Sequence, residues 1–254
     1  MKVAAVQMDI AWEDRAANYQ KAMQRAACAA ADGADLIVLP EMFATGFSMN
    51  TDVTAEPSDG ETPEFLKHLA RTHRVGVIGG FVKKLSDGRA QNCALVLDRE
   101  GKELCTYAKS YLFSYMGENK HHVAGDGALV FEFEGLRCAC FICYDLRFPE
   151  LFRRVCREID AAFIIASWPA GRALHWRTLL PARAVENQFY VVGVNRVGDG
   201  GGLRFQGDSM IIDPAGEILQ AAADTESILL AELTRERVEE VRGAMPFLND
   251  YRGN

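Results

Sequence analysis

Short apolar runs alternate with longer stretches of helical periodicity along this chain, and that rhythm predicts an α/β fold. Lys2 to Gln7 reads as a strand. Asn18 to Ala31 reads as a helix with Tyr19, Met23, Ala26, Ala27 and Ala30 on one side, closed by Asp32-Gly33. Asp35 to Leu39 is a buried strand that stops at Pro40 and delivers Glu41. A helix from Pro63 to His73 precedes a strand from Val75 to Phe81. Asn92 to Leu97 and Leu104 to Lys109 predict a hairpin around Asp98-Arg99-Glu100-Gly101.

The second half repeats the rhythm. Leu129 to Phe133 and Leu136 to Ile142 pair around Glu134-Gly135, and a helix from Pro149 to Ile159 leads to a strand from Ala161 to Ala166. A helix from about His175 to Glu186 leads to a strand from Tyr190 to Asn195. Strands Ser209 to Asp213 and Glu217 to Gln220 flank the turn Pro214-Ala215-Gly216, followed by Ser227 to Leu233 and a charged helix from Thr234 to Arg242. No Pro/Ser-rich stretch or charge block divides the chain, so one domain over residues 1–254 is expected. The run Gly198 to Gly202 lacks the Lys-Ser/Thr of a phosphate loop and reads as a mobile loop.

Composition narrows the setting. With 49% hydrophobic and 25% charged residues the chain has the make-up of an ordinary globular protein and none of a disordered one. A net charge of -7 without a basic cluster argues against nucleic acid or an anionic membrane as partner. No apolar stretch reaches the roughly 20 residues of a membrane span, and Met1 to Gln7 is too short for a signal peptide. The seven cysteines are odd in number and embedded in apolar runs, which suits a cytoplasmic protein better than a disulfide framework. Cys138 and Cys140 share a strand face that Cys143 does not, and no fourth ligand stands at zinc-like spacing, so neither a metal nor a cofactor is expected. His68 and His73 do not share a helix face, and His121-His122 lie in a polar loop, where solvation is expected.

The candidate chemistry sits at strand ends. Cys143 stands where Leu136 to Ile142 breaks into the charged turn Tyr144-Asp145-Leu146-Arg147 before Pro149 opens a helix. A thiol there faces a cleft near backbone N–H groups that stabilise negative charge. Glu41 closes a second strand and offers a general base, because burial raises carboxyl pKa values towards neutrality. Lys109 closes a third and offers a cation for a developing oxyanion. Any one of these residues alone is more often core packing or a solvated rim charge. Three of them, each ending a separate apolar strand, form a far stronger pattern.

The segments Leu39-Pro40-Glu41-Met42-Phe43, Tyr107-Ala108-Lys109-Ser110-Tyr111-Leu112-Phe113 and Cys143-Tyr144-Asp145-Leu146-Arg147-Phe148-Pro149-Glu150 together resemble the nitrilase (carbon–nitrogen hydrolase) superfamily over nearly the whole chain. The resemblance implies a four-layer α-β-β-α sandwich that pairs through its helices, hence a homodimer. It implies Glu41, Lys109 and Cys143 as the triad, with the Tyr144 backbone N–H as an oxyanion donor. It also matches Glu118 to a second glutamate that positions substrate or water. Tyr144-Asp145 after the nucleophile, with Ser167-Trp168-Pro169-Ala170-Gly171-Arg172 and Leu174-His175-Trp176, resembles the bacterial omega-amidase branch. That branch releases ammonia from the side-chain amide of 2-oxo dicarboxylic acid monoamides such as 2-oxoglutaramate and 2-oxosuccinamate. Such a substrate carries a carboxylate that calls for a guanidinium, with Arg172 preferred over Arg147 and Trp168 as an apolar wall. Arg183 and Glu186, three apart, read as a structural pair. The competing readings are a hydrolase of neutral aliphatic amides or carbamoyl groups, an acyltransferase, and a non-catalytic thiol or redox protein on the same fold.

Overall fold

Side-chain alternation along the inner strands builds the layers. A computed structural model describes residues 1–252. The first half lays down β1 (Lys2–Gln7), β2 (Leu36–Val38), β3 (Ala55–Glu56), β4 (Gly76–Lys84), β5 (Ala90–Leu97) and β6 (Glu103–Ala108). The second half adds β7 (Val130–Phe133), β8 (Leu136–Ile142), β9 (Ala161–Ala166), β10 (Tyr190–Asn195), β11 (Val197–Gly200), β12 (Leu203–Ile212), β13 (Ile218–Ala223) and β14 (Ser227–Glu232). Six helices accompany them among the described residues: α1 (Arg15–Ala31), α2 (Thr51–Thr54), α3 (Glu61–His73), α4 (Pro149–Val155), α5 (Ala173–Asn187) and α6 (Arg235–Ala244).

Val3, Ala5, Leu36 and Val38 face Cys138, Cys140, Phe163 and Val192 across a core shared by two sheets. Ala4, Val6 and Ile37 face the other way, onto Ala22, Ala26, Leu66 and Leu69 of α1 and α3. Ala139, Phe141, Ala162 and Ile164 do the same for Phe152, Trp176, Leu180 and Ala184 of α4 and α5. The result is an α-β-β-α sandwich, as the family resemblance implies. Sheet one runs β14-β1-β2-β4-β5-β6 with β3 beside β4, and sheet two runs β11-β12-β10-β9-β8-β7 with β13 beside β12. Each contains a parallel triplet, β1-β2-β4 and β8-β9-β10, whose carboxyl ends lead to Glu41 in the first and to Cys143 and Ser167 in the second. β14 returns to pair antiparallel with β1.

Several boundaries differ from the expected ones, each for a local reason. α1 starts at Arg15, not Asn18, because the Asp14 side chain accepts from the Ala17 N–H at 3.0 Å. α4 stops at Val155 instead of Ile159, where the Glu158 and Ile159 amides both turn back to the Val155 carbonyl. β12 begins at Leu203, well before Ser209. The glycine run therefore is not a mobile loop but the tip of a hairpin, pairing Val197 to Gly200 with Gln206 to Leu203. Gly201 takes φ 57° against the Trp12 ring, and a Cβ there would lie 2.5 Å from the indole. The expected Arg183–Glu186 pair forms at 2.8 Å.

Gly80 on β4 passes directly under the turn that carries Glu41. A Cβ at Gly80 would sit 2.5 Å from the Met42 backbone nitrogen and 2.7 Å from the Glu41 Cα. Gly80→Ala is expected to lower the unfolding free energy by about 1–3 kcal/mol through overpacking. The urea midpoint measures it; an unchanged midpoint would mean that the turn can retreat freely.

Candidate active site

Four strand ends meet at one edge of the sandwich. Glu41 follows β2 through Leu39-Pro40, Lys109 follows β6, Cys143 follows β8 and Ser167 follows β9. Glu41, Lys109 and Glu118 are each 0% exposed. The Lys109 ammonium donates to Glu41 Oε1 at 2.9 Å and to Glu118 Oε1 at 3.1 Å. Asn92, arriving on β5, donates from Nδ2 to Glu41 Oε1 at 2.7 Å and to Glu118 Oε1 at 3.0 Å. The Ser167 N–H holds Glu41 Oε2 at 2.8 Å, and the Phe113 N–H holds Glu118 Oε2 at 2.6 Å.

The proton states follow from these contacts. Burial opposes the charge on Lys109, but Glu41 and Glu118 outweigh it and raise its pKa above the ordinary lysine value. Burial alone would raise Glu118; Lys109, the Phe113 N–H and the Asn92 amide together hold it below the ordinary value. For Cys143, burial first and the Glu41 charge second push the thiol well above its ordinary pKa, against Lys109 and the Ser167 N–H. The resting sulfur is therefore a thiol. Such a site can shed the sulfur proton to a carboxylate as the sulfur bonds to an electrophile.

Cys143 itself has φ 47°, an uncommon conformation for a residue with a Cβ, and so has Met42 after Glu41. Cys143 opens a one-turn helix running to Arg147. Asp145, fully buried, pins this turn: Oδ2 accepts from the Tyr107 hydroxyl at 2.7 Å and the Ile142 N–H at 2.9 Å, and Oδ1 from the Tyr111 N–H at 2.8 Å. Above the half-buried Cys143 opens a cleft. Phe47, Phe113, Met116, Trp168 and Leu203 give it apolar walls, and Arg147 and Arg172 add two guanidiniums.

No aspartate or glutamate lines that cleft. Arg147 lies 4.6 Å over the Trp168 ring and 5.8 Å over the Tyr144 ring, and Arg172 lies 5.0 Å over Phe113. Burial first, and the Arg172 charge as a lesser cause, lower the Arg147 pKa from its ordinary value. Neither guanidinium is ion-paired with an acidic side chain among the described residues.

The structure thus brings Glu41, Lys109 and Glu118 into direct contact beside Cys143, and gathers Tyr144, Arg147, Trp168 and Arg172 around the mouth. Sequence reasoning missed Asn92, Asp145 as the pin of the turn, and Ser167 as a partner of Glu41. Asn92 carried a signal, as a polar residue inside an otherwise apolar strand. His122 corrects an expectation: unlike His121 it is not solvated but 4% exposed, and burial lowers its pKa. Its N–H bonds the Glu118 carbonyl at 2.9 Å, which draws this segment inward.

Fold and site together define a hydrolase of carbon–nitrogen bonds. A model of the carbon-nitrogen hydrolase family matches residues 2–243, and the chain belongs to that family. It is 40% identical to a protein named omega-amidase YafV from Yersinia enterocolitica, over 98% of this chain and 96% of that one. It is 34% identical to a 2-oxoglutaramate amidase from Bacillus subtilis, over 98% of this chain and 97% of that one. Among solved structures, a CN-hydrolase superfamily protein from Xanthomonas campestris with an arsenic adduct in its active site matches with a TM-score of 0.95. The two are 31% identical, over 100% of this chain and 98% of that one.

Asp145 makes stability and activity respond to pH in opposite senses. Burial raises its pKa from 3.8 to about 6. The folded state therefore holds this proton more tightly than the unfolded chain, so the stability from this group is full below pH 3.8 and is lost as pH rises through about 6. Only the carboxylate accepts all three donors, so turnover should rise across the same interval. A pH profile of kcat/KM is expected to show an acid limb near 6 that Asp145→Asn removes along with most of the activity.

Proposed function

We propose that this chain is an omega-amidase, hydrolysing the side-chain amide of 2-oxo dicarboxylic acid monoamides such as 2-oxoglutaramate. The observation that carries the reading is the pair of guanidiniums, Arg147 and Arg172, over apolar walls with no acid lining the cleft. A cation pair with no ion-pair partner in a half-buried cleft is unfavourable until an anion arrives. A linear amide bearing a carboxylate at its far end supplies that anion and still reaches Cys143.

In this reading Glu41 takes the Cys143 proton as sulfur bonds to the amide carbonyl carbon. Lys109 and the Tyr144 N–H receive the oxyanion. The carbon–nitrogen bond breaks, and nitrogen leaves as ammonia with the proton from Glu41. Glu41 next takes a proton from a water positioned by Glu118, the resulting hydroxide adds to the thioester, and sulfur leaves and regains its proton. The buried ammonium between two carboxylates argues against a mere sensor thiol, which needs no hydrolytic base. We also propose a cytoplasmic homodimer, supported by seven free cysteines and by the exposed Leu174 and Val185 on α5.

Ammonia release from 2-oxoglutaramate and from pentanamide, a neutral amide of equal length, tests the assignment. The keto acid amide should be strongly preferred, and equal kcat/KM values would overturn the reading. Cys143→Ala should abolish turnover of both amides. Lys109→Met should cut kcat on the order of 10²- to 10³-fold, as loss of an oxyanion donor does. Arg172→Ala should raise KM for 2-oxoglutaramate by about 10-fold with little change in kcat, since a charge-assisted contact at a half-open site is worth about 1.5 kcal/mol.

A further inference from the structure

We propose that His175 is the positioning residue for Arg147 and thereby sets the preference for amides that carry a carboxylate, an inference that rests on the omega-amidase reading. His175 lies in the first turn of α5 with its side chain at the surface. Its Nδ1 stands 3.1 Å from Arg147 Nη2. A guanidinium can only donate, so Nδ1 is the acceptor in this bond.

That bond completes a frame around a single cation. Trp168 supports one face of the Arg147 guanidinium at 4.6 Å. The indole is itself fixed, donating from Nε1 to the Arg172 carbonyl at 2.8 Å, while the Trp168 N–H is held by Asn195 Oδ1 at 2.8 Å. His175 fixes the remaining freedom, rotation of the guanidinium in its plane. With one of its five N–H groups committed to His175, the fork still has donors for bidentate capture of a carboxylate. Arg172 differs: it rests over Phe113 at 5.0 Å with no acceptor for its guanidinium among the described residues. Arg172 attracts an anion, whereas Arg147 is aimed at one.

Two substitutions separate this role from simple packing. His175→Ala removes the acceptor, and His175→Asn restores an acceptor oxygen close to the place of Nδ1. Steady-state kinetics on 2-oxoglutaramate should show KM raised about 3- to 10-fold in His175→Ala at constant kcat, the scale of one partly exposed hydrogen bond to a charged group. His175→Asn should recover most of the loss, and the pentanamide KM should move far less in either variant. An unchanged KM in His175→Ala, no recovery in His175→Asn, or an equal shift for both amides would each overturn the inference. If the wild-type protein shows no preference for the keto acid amide, the functional reading falls and this inference with it. If that preference holds while His175→Ala matches wild type, the positioning role alone falls.

Discussion

A lysine ammonium with no solvent contact is the constraint on which the rest of this structure depends. Lys109 cannot keep its charge in a dry core unless acceptors surround it, and Glu41 and Glu118 supply them at about 3 Å. Each carboxylate in turn would repel the other without the cation between them. The cluster also crosses the sandwich: Glu41, Lys109 and Asn92 come from sheet one, and the Ser167 N–H that holds Glu41 comes from the end of β9 in sheet two. Ion pairing and sheet packing are therefore one problem, since sliding one sheet over the other would strand a buried charge.

Cys143 is held by a second device. A residue with a Cβ at φ 47° sits roughly 1–2 kcal/mol above its relaxed conformation. Asp145 offsets that cost at Cys143 by tying Ile142, Tyr107 and Tyr111 to one carboxylate. It thereby links β8 to the segment just after Lys109, so the sulfur and the ammonium are fixed relative to each other by a bridge that passes beneath both. The burial that makes this bridge rigid also makes it sensitive to protons.

The parts of this arrangement that were legible in the sequence are those set by strand periodicity. Glu41, Lys109 and Cys143 each follow an apolar run, and in α/β folds the edge where such strands end is where sites form. The shared facing of Cys138 and Cys140 into the core between the sheets was legible for the same reason, because residues two apart on a strand point the same way. What was not legible depends on loops folding through space. His122 looked solvated because its neighbours are polar, yet the Glu118 turn draws it inward. The glycines from Gly198 looked mobile because glycine suggests freedom, while here they let a hairpin press on Trp12. Phe47, Phe113, Met116 and Leu203 converge on the cleft from separate loops and strands, and no spacing rule connects them.

Charge accounting then relates the floor of the site to its mouth. One ammonium against two carboxylates leaves the floor with a single unit of negative charge while the sulfur is protonated. The mouth carries two guanidiniums. An incoming substrate with one carboxylate brings the whole to neutrality, which favours its binding over that of a neutral amide. Hydrolysis changes this balance, because the amide becomes a second carboxylate formed next to Glu41 and Glu118. On the proposed reading the product would be held by the same guanidiniums at one end and repelled by the floor at the other. A site with its anionic floor placed where the new charge appears would, on that reading, bind the monoamide better than the diacid it makes, so the geometry that recognises the substrate would also promote release of its product.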